Sequence, residues 1–362
     1  MKRYLAFLLA LVLCFGLCAC GGGNSEDTTP TEPEQPKVED DGIMKILLIG
    51  HSLGTDSSYM FPDVCRNEGM ENLVFGRLYH SGCRVAQHMD YANADAAQYS
   101  YDEYDISKDQ CWQRAYSNGT FFNQEPGTPT DMYIEDGSIA QTMKFGIQRH
   151  DWDIVILMAG LFESANIKDG YFTNREVNLA ADTKALVEYV LANDIEPNSV
   201  PQFAWNMGWS TPADRAVRQE STNKLLDLFC GGDDHVLYQE QAKMLKEAVE
   251  PCHDWAYVFP NGTAIENLKG TKLADKDIYR DYGHVTDFGR MVAAYTWYCV
   301  LTDTAIEDCK IAPMNHKVLL DAKARNTGTD LELTEEQKAI LIEAVGNAIK
   351  SPYETIQSQY AE

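Results

Sequence analysis

The chain has 362 residues, 44% of them hydrophobic and 23% charged, a composition that excludes a disordered or fibrous protein and suffices for one large or two ordinary domains. Lys and Arg number 30 against 55 Asp and Glu, leaving a formal charge of -25. Such a field repels phosphate backbones, so nucleic acid is not an expected partner.

The first twenty residues carry a compartment signal. Lys2 and Arg3 precede the apolar run Tyr4 to Leu17, whose 14 residues are too short for an ordinary bilayer span and read as a signal peptide over residues 1–19. Leu17-Cys18-Ala19-Cys20 resembles the bacterial lipobox, which makes Cys20 the expected site of lipid attachment; plain secretion with cleavage near Ala19 is the alternative. From Gly21 to Gly42 the chain is Gly-rich and then Thr/Pro/Glu-rich without apolar periodicity, a linker with a reach of about 25 Å. The lipid is then the only expected contact with a membrane, and the location extracytoplasmic. Setting aside Cys14, Cys18 and Cys20 leaves seven of the ten cysteines, with no CxxC pair and no zinc-ribbon spacing. Cys230 with Cys252 is the pairing least at odds with the sequence.

A domain over residues 43–362 follows. Met44 to Ile49 is a short apolar run ending at Gly50, as a buried parallel strand does. Tyr59 to Glu68 has helical content, and Leu73 to Tyr79 reads as a second strand closed by the turn His80-Ser81-Gly82-Cys83. Residues from about 90 to 137 are polar and aperiodic, an insertion of loops and short strands suited to a lid. Ser138 to Arg149 reads as a helix with Ser138 as N-cap, and Asp153 to Met158 as a third buried strand. Then come a helix over 178–192, a strand over 201–205, helices over 213–229 and 239–249, a strand over 255–259 and an apolar helix over 289–301. The capping-box pattern Thr334-Glu335-Glu336-Gln337 opens a last helix, about 335–349, stopped by Pro352. Strands alternating with helices of this length imply a three-layer α/β/α fold around a parallel sheet.

Ligands of such a sheet sit beyond the carboxyl ends of its strands. Gly50-His51-Ser52-Leu53 places a hydroxyl at the first of these ends, where a helix N-terminus stabilises an oxyanion; Ser52 as a plain helix cap is the competing reading. Asp281-Tyr282-Gly283-His284 puts a carboxylate and an imidazole three residues apart on one loop, the arrangement of a general base and its orienting acid. A helix cap and a satisfied core histidine would read the same way. Trp205 and Trp209 flank a strand end and suit either a sugar-stacking rim or core packing. The acidic stretches Asp102 to Asp109 and Asp233-Asp234-His235 read as solvated loops in preference to Ca2+ sites. His80, His88, His150, His253 and His316 have no paired metal-ligand spacing, and neither a Walker loop nor a dinucleotide fingerprint is present, so no cofactor or metal is expected.

Taken together these segments resemble the SGNH/GDSL hydrolase superfamily, and within it a bacterial branch of unknown function. The resemblance is carried by Ile49-Gly50-His51-Ser52, by Leu78-Tyr79-His80-Ser81-Gly82-Cys83 continuing to His88, by Trp152-Asp153-Ile154-Val155, by Pro260-Asn261-Gly262-Thr263-Ala264-Ile265 and by Asp281 with His284, and it spans residues 44–352. It implies a flavodoxin-like sheet and a serine esterase in which Ser52 is the nucleophile, His284 the base and Asp281 its orienter. It also implies an oxyanion hole from the backbone N–H groups of Ser52 and Gly82. Two departures stand out: position 51 is His where Asp or Asn is usual, and Met158-Ala159-Gly160 lacks the usual side-chain amide, leaving Asn166 or Asn206 as substitutes. The expected activity is an acetylesterase acting on O-acylated carbohydrate or another small ester. A catalytically silent carbohydrate-binding lipoprotein and a lipase or thioesterase are the alternatives.

Overall fold

Side chains of the first strand, β1 (Met44–Gly50), are apolar on both faces: Ile46 and Leu48 enter one core, Leu47 and Ile49 the other. Only a strand covered on both sides tolerates that pattern. The computed structural model describes residues 42–107, 110–117, 120–124, 140–167, 177–195, 199–314 and 331–361. The signal peptide, Cys20, most of the linker, Ser138, Asp109 and His316 lie outside the described residues.

After β1 come α1 (Ser52–Ser58), α2 (Phe61–Glu68), β2 (Leu73–Tyr79), α3 (Val85–Asn93), β3 (Ser100–Asp105), β4 (Gln110–Ser117), β5 (Thr120–Gln124), α4 (Met143–Ile147) and β6 (Ile154–Leu157). The second half contains α5 (Leu179–Asn193), β7 (Gln202–Asn206), α6 (Glu220–Phe229), α7 (Asp234–Met244), β8 (Tyr257–Phe259), α8 (Asn261–Lys269), α9 (Asp275–Ile278), α10 (Asp287–Thr302) and α11 (Glu335–Lys350). They build one eight-stranded sheet in the order β5-β4-β3-β2-β1-β6-β7-β8. Five strands, β2-β1-β6-β7-β8, are parallel, which in their own chain order is the 2-1-3-4-5 arrangement of doubly wound flavodoxin-like sheets. Leu53 and helices α2, α8, α10 and α11 cover one face. Helices α3, α4 and α5 cover the other with part of α7.

Several boundaries differ from the sequence expectation for local reasons. A helix begins at Ser52, seven residues before Tyr59, because His51 is extended and its Nδ1 accepts from Leu53 N. Residues 213–219 precede α6 as a loop, since Asp214 turns its carboxylate onto Ala216 N and competes with helical bonding. Thr142 caps α4 at Met143. The capping box at Thr334 forms as expected, with both reciprocal bonds to Gln337.

The insertion is the largest difference. Strands β3, β4 and β5 pair antiparallel in sequence and extend the sheet outward from β2, so the described part of the insertion is an added sheet edge instead of a lid. Asp102, read as part of a solvated acidic loop, is buried in β3 and paired with Arg77 of β2. Asp233 and Asp234 likewise have structural partners: Asp233 caps α7 through His235 N, and Asp234 pairs with Arg218 and Lys269. No group of His, Cys, Asp and Glu that could hold a metal is found among the described residues. Cys230 and Cys252 are separate free thiols, the first packed near Leu226 and the second directed at the carbonyls of Ala180 and Ala248. No described helix is long and apolar enough to cross a membrane.

Candidate active site

The loops after β1, β2 and β6 meet at the carboxyl edge of the sheet, where the connections diverge on either side of β1. A cleft of about 460 Å3 opens there, lined by Ser52, Gly82, Arg84, Gly160, Tyr282 and His284 among others. Its apolar wall comes from Leu53, Leu161, Phe162 and Leu225.

Ser52 is the first residue of α1, so its amide is one of the donors a helix start leaves unbonded. The approach of α1 to the sheet is close. A Cβ on Gly54 would lie 2.6 Å from the sulfur of Met158, and one on Gly50 would lie 2.9 Å from it. Met158 therefore occupies the floor beneath the serine turn, as a packing group. His51, buried at this turn, donates its Nε2–H to Ala159 O at 3.0 Å. Since a carbonyl only accepts, Nε2 carries the proton and Nδ1 is left to receive Leu53 N at 3.4 Å, the role an Asp or Asn oxygen plays at a helix start. Burial lowers the His51 pKa to about 4, so the ring is neutral at pH 7.

Gly82 sits in the turn after β2 with φ +61, the left-handed region that suits glycine. The turn is tied down by His80 N to Gly50 O and by Cys83 N to His80 O. The amides of Ser52 and Gly82 have no acceptor among the described residues, and both residues line the cleft.

Asp281 and His284 occupy a tight reversal closed by the Tyr279–Val285 bridge and by Arg280 N to His284 O. The Asp281 carboxylate accepts from Gly283 N at 3.1 Å and His284 N at 2.9 Å, which folds the loop on itself. Both its oxygens stand 2.9 Å from His284 Nδ1. Partial burial opposes ionisation of Asp281, but the imidazole contact and the two backbone donors outweigh it and hold the pKa at about 2. With Nδ1–H directed at the carboxylate, Nε2 is left as the proton acceptor. His284 and Ser52 line the same cleft, and no hydrogen bond joins their side chains in this structure.

Two supports of this loop were not visible in the sequence. Asp56, one turn after Ser52 and fully buried, accepts from Val285 N at 3.1 Å, Arg280 Nη2 at 3.0 Å and Arg290 Nε at 2.9 Å. It thereby clamps the serine helix to the histidine loop. Trp209 donates its indole N–H to Gly283 O at 2.7 Å. Both expected rim tryptophans are buried: Trp205 lies in the core on one face of the sheet and Trp209 in the other. Tyr282 takes the cleft-lining position, with its ring 5.7 Å from that of His284.

Neither expected substitute amide reaches the cleft. Asn166 is exposed on a left-handed turn closing residues 163–165. Asn206 is completely buried, where it donates to Ser57 Oγ at 3.0 Å and accepts from Trp297 Nε1 at 3.1 Å. Gly160 N is committed to Glu163 Oε2 at 3.0 Å. Glu163 also accepts from Val85 N and Ala86 N, while burial raises its pKa against these donors. The carboxylate thus fastens the loop after β6 to the start of α3.

No sequence-family profile matches the chain, and no curated protein does. Among solved structures, a DUF4886 family protein from Bacteroides uniformis overlays with a TM-score of 0.64 at 17% identity, over 88% of this chain and 100% of that one. A putative arylesterase from Agrobacterium tumefaciens gives 0.39 at 14% identity, over 74% and 100%. A catalytic mutant of the acetylxylan esterase Axe2 from Geobacillus stearothermophilus gives 0.37 at 14% identity, over 70% and 92%. The chain shares the three-layer fold of the DUF4886 family structure across most of its length.

Proposed function

We propose that the protein is a serine hydrolase of carboxylic esters, with Ser52 as nucleophile, His284 as general base and Asp281 as its orienter. The observation that carries this reading is the Asp281–His284 pair, held at 2.9 Å, whose imidazole lines one cleft with a serine at a helix N-terminus. In the first half-reaction His284 Nε2 takes the Ser52 hydroxyl proton as the oxygen attacks the acyl carbon. The amides of Ser52 and Gly82 receive the oxyanion. His284 then returns the proton to the departing alkoxide, which leaves as the alcohol. Water, deprotonated by the same nitrogen, releases the acid and regenerates Ser52.

Substrate and location belong to the same proposal. Lys2 and Arg3, the 14-residue apolar run and Cys20 support a lipid-anchored extracytoplasmic enzyme, and that setting favours O-acylated carbohydrate over intracellular esters. A second reading, a silent glycan-binding protein, has one specific support: neither Asn166, Asn206 nor Gly160 N supplies a third oxyanion donor. Hydrolysis of p-nitrophenyl acetate and acetylated polysaccharide, beside Ser52→Ala and His284→Ala, separates the two. The esterase reading requires a loss of roughly 1000-fold or more from either substitution, with little further loss in the double variant. Equal slow hydrolysis by all forms, with glycan binding retained, supports the binding protein.

A further inference from the structure

The helix that begins at the histidine loop, α10, ends against a turn carrying a second thiol. Asp303, in the left-handed region at φ 51, reverses the chain after α10. A single helical turn at Ile306–Asp308 then brings Cys309 back alongside the last turn of α10. Its sulfur stands 3.8 Å from that of Cys299. Cys299 is buried, whereas Cys309 is half-buried and faces outward enough to meet a reagent.

The approach of the two sulfurs is fixed by bonds that do not involve them. Glu68, at the end of α2, accepts from Lys310 N at 3.1 and 2.9 Å, from Ile311 N at 3.2 Å and from the Tyr295 hydroxyl at 3.1 Å. These bonds hold Ile311 in the left-handed region at φ 45, which a β-branched residue seldom adopts. The residues next to Cys309 are thus fastened to α2 and to the body of α10. Cys65, Cys83, Cys230 and Cys252 are free thiols, and Cys252 faces backbone carbonyls.

We propose that Cys299 and Cys309 form an intramolecular disulfide when the protein meets a thiol–disulfide oxidant. The Cys309 thiolate attacks one sulfur of the oxidant's disulfide, releasing one thiolate and forming a mixed disulfide. Cys299, once deprotonated, attacks the Cys309 sulfur and expels the second thiolate. Two protein thiols lose two electrons and two protons, and one oxidant disulfide becomes two thiols. The Cys299 thiol donating to Cys309 favours the Cys309 thiolate, consistent with that residue reacting first. The bond would fix the far end of the helix that follows the His284 loop, and it stands or falls apart from the esterase reading.

The test incubates the full chain with an equal mixture of oxidised and reduced glutathione, followed by acid quenching, alkylation and peptide mapping by mass spectrometry. The expected product is a peptide linking positions 299 and 309, lighter by two hydrogens than the reduced pair, with Cys65, Cys83, Cys111, Cys230 and Cys252 alkylated. Reduction with dithiothreitol should lower the melting temperature of the wild type by roughly 5 °C and leave that of Cys309→Ser unmoved. Cys309→Ser replaces the outward thiol and is the variant least exposed to misfolding; the mapping of wild type needs no variant at all. Alkylation of both residues after oxidation overturns the proposal, as does accumulation of an unresolved glutathione adduct on Cys309.

Discussion

Asp56→Asn loosens the histidine loop while leaving every group placed in the chemistry intact. The carboxylate is fully buried and takes three donors, two of them guanidinium groups. Arg290 is 12% exposed, so its pairing with Asp56 is largely unscreened, whereas Arg280 is 39% exposed and its share is discounted for solvent. Removing one partner of a buried pair costs about 3–5 kcal/mol, and an amide oxygen still accepts one of the three donors, which places the expected loss near 3 kcal/mol. Urea unfolding measures that loss. Ester hydrolysis, run where circular dichroism shows the variant folded, measures the second effect. With Val285 released from α1, the imidazole shifts relative to Ser52, and a displacement on the order of 1 Å costs about 100-fold in kcat with a smaller change in KM. A variant with wild-type urea midpoint and wild-type kcat would refute the clamp.

Other consequences follow from neighbouring contacts. Trp209→Phe keeps an aromatic ring but shrinks it and leaves Gly283 O without its donor; a loss of about 2–3 kcal/mol in thermal unfolding and a fall in kcat are expected, and unchanged values for both would remove Trp209 from the support of the loop. Acid stability is set partly by two buried neutral histidines, His51 with a pKa near 4 and His88 with one near 3. Both folded-state values lie below the unfolded value of about 6.5, so their contribution is present above pH 6.5 and is lost as the pH falls toward 4 and 3. Each adds up to about 1.4 kcal/mol per pH unit to the slope in that window, and urea titrations from pH 7 to 4 should show a shallower slope for His51→Asn than for wild type. Parallel slopes would mean that His51 is not held neutral by burial.

What the sequence revealed depended on how local the determining contacts are. Strands β1, β2 and β6 were legible because their apolar runs end in turn residues within the same few positions. The Asp281 loop was legible too, since a carboxylate bonding amides two and three residues ahead needs nothing distant. Asp56 was silent because its partners are 224 to 234 residues away along the chain. Asn206 misled for a similar reason: an amide at a strand end looks available until Ser57, Asn261 and Trp297 converge on it. Strand β3 escaped recognition because Asp102, which breaks the expected apolar alternation, is neutralised by Arg77 on the adjacent strand. The tryptophans at 205 and 209 carry the same local pattern whether they face sugar or core, and only packing decides.

The central claim is that Ser52 is a nucleophile activated by His284. Labelling with a fluorophosphonate, which phosphonylates a serine oxygen with loss of fluoride only when a neighbouring base has activated it, tests that claim without knowledge of the natural substrate. Mass spectrometry of the labelled protein should place the adduct on Ser52, and His284→Ala should slow labelling by roughly 1000-fold or more while leaving the circular dichroism spectrum unchanged. An adduct on another residue, or labelling of Ser52 at equal rates with and without the imidazole, would contradict the assignment.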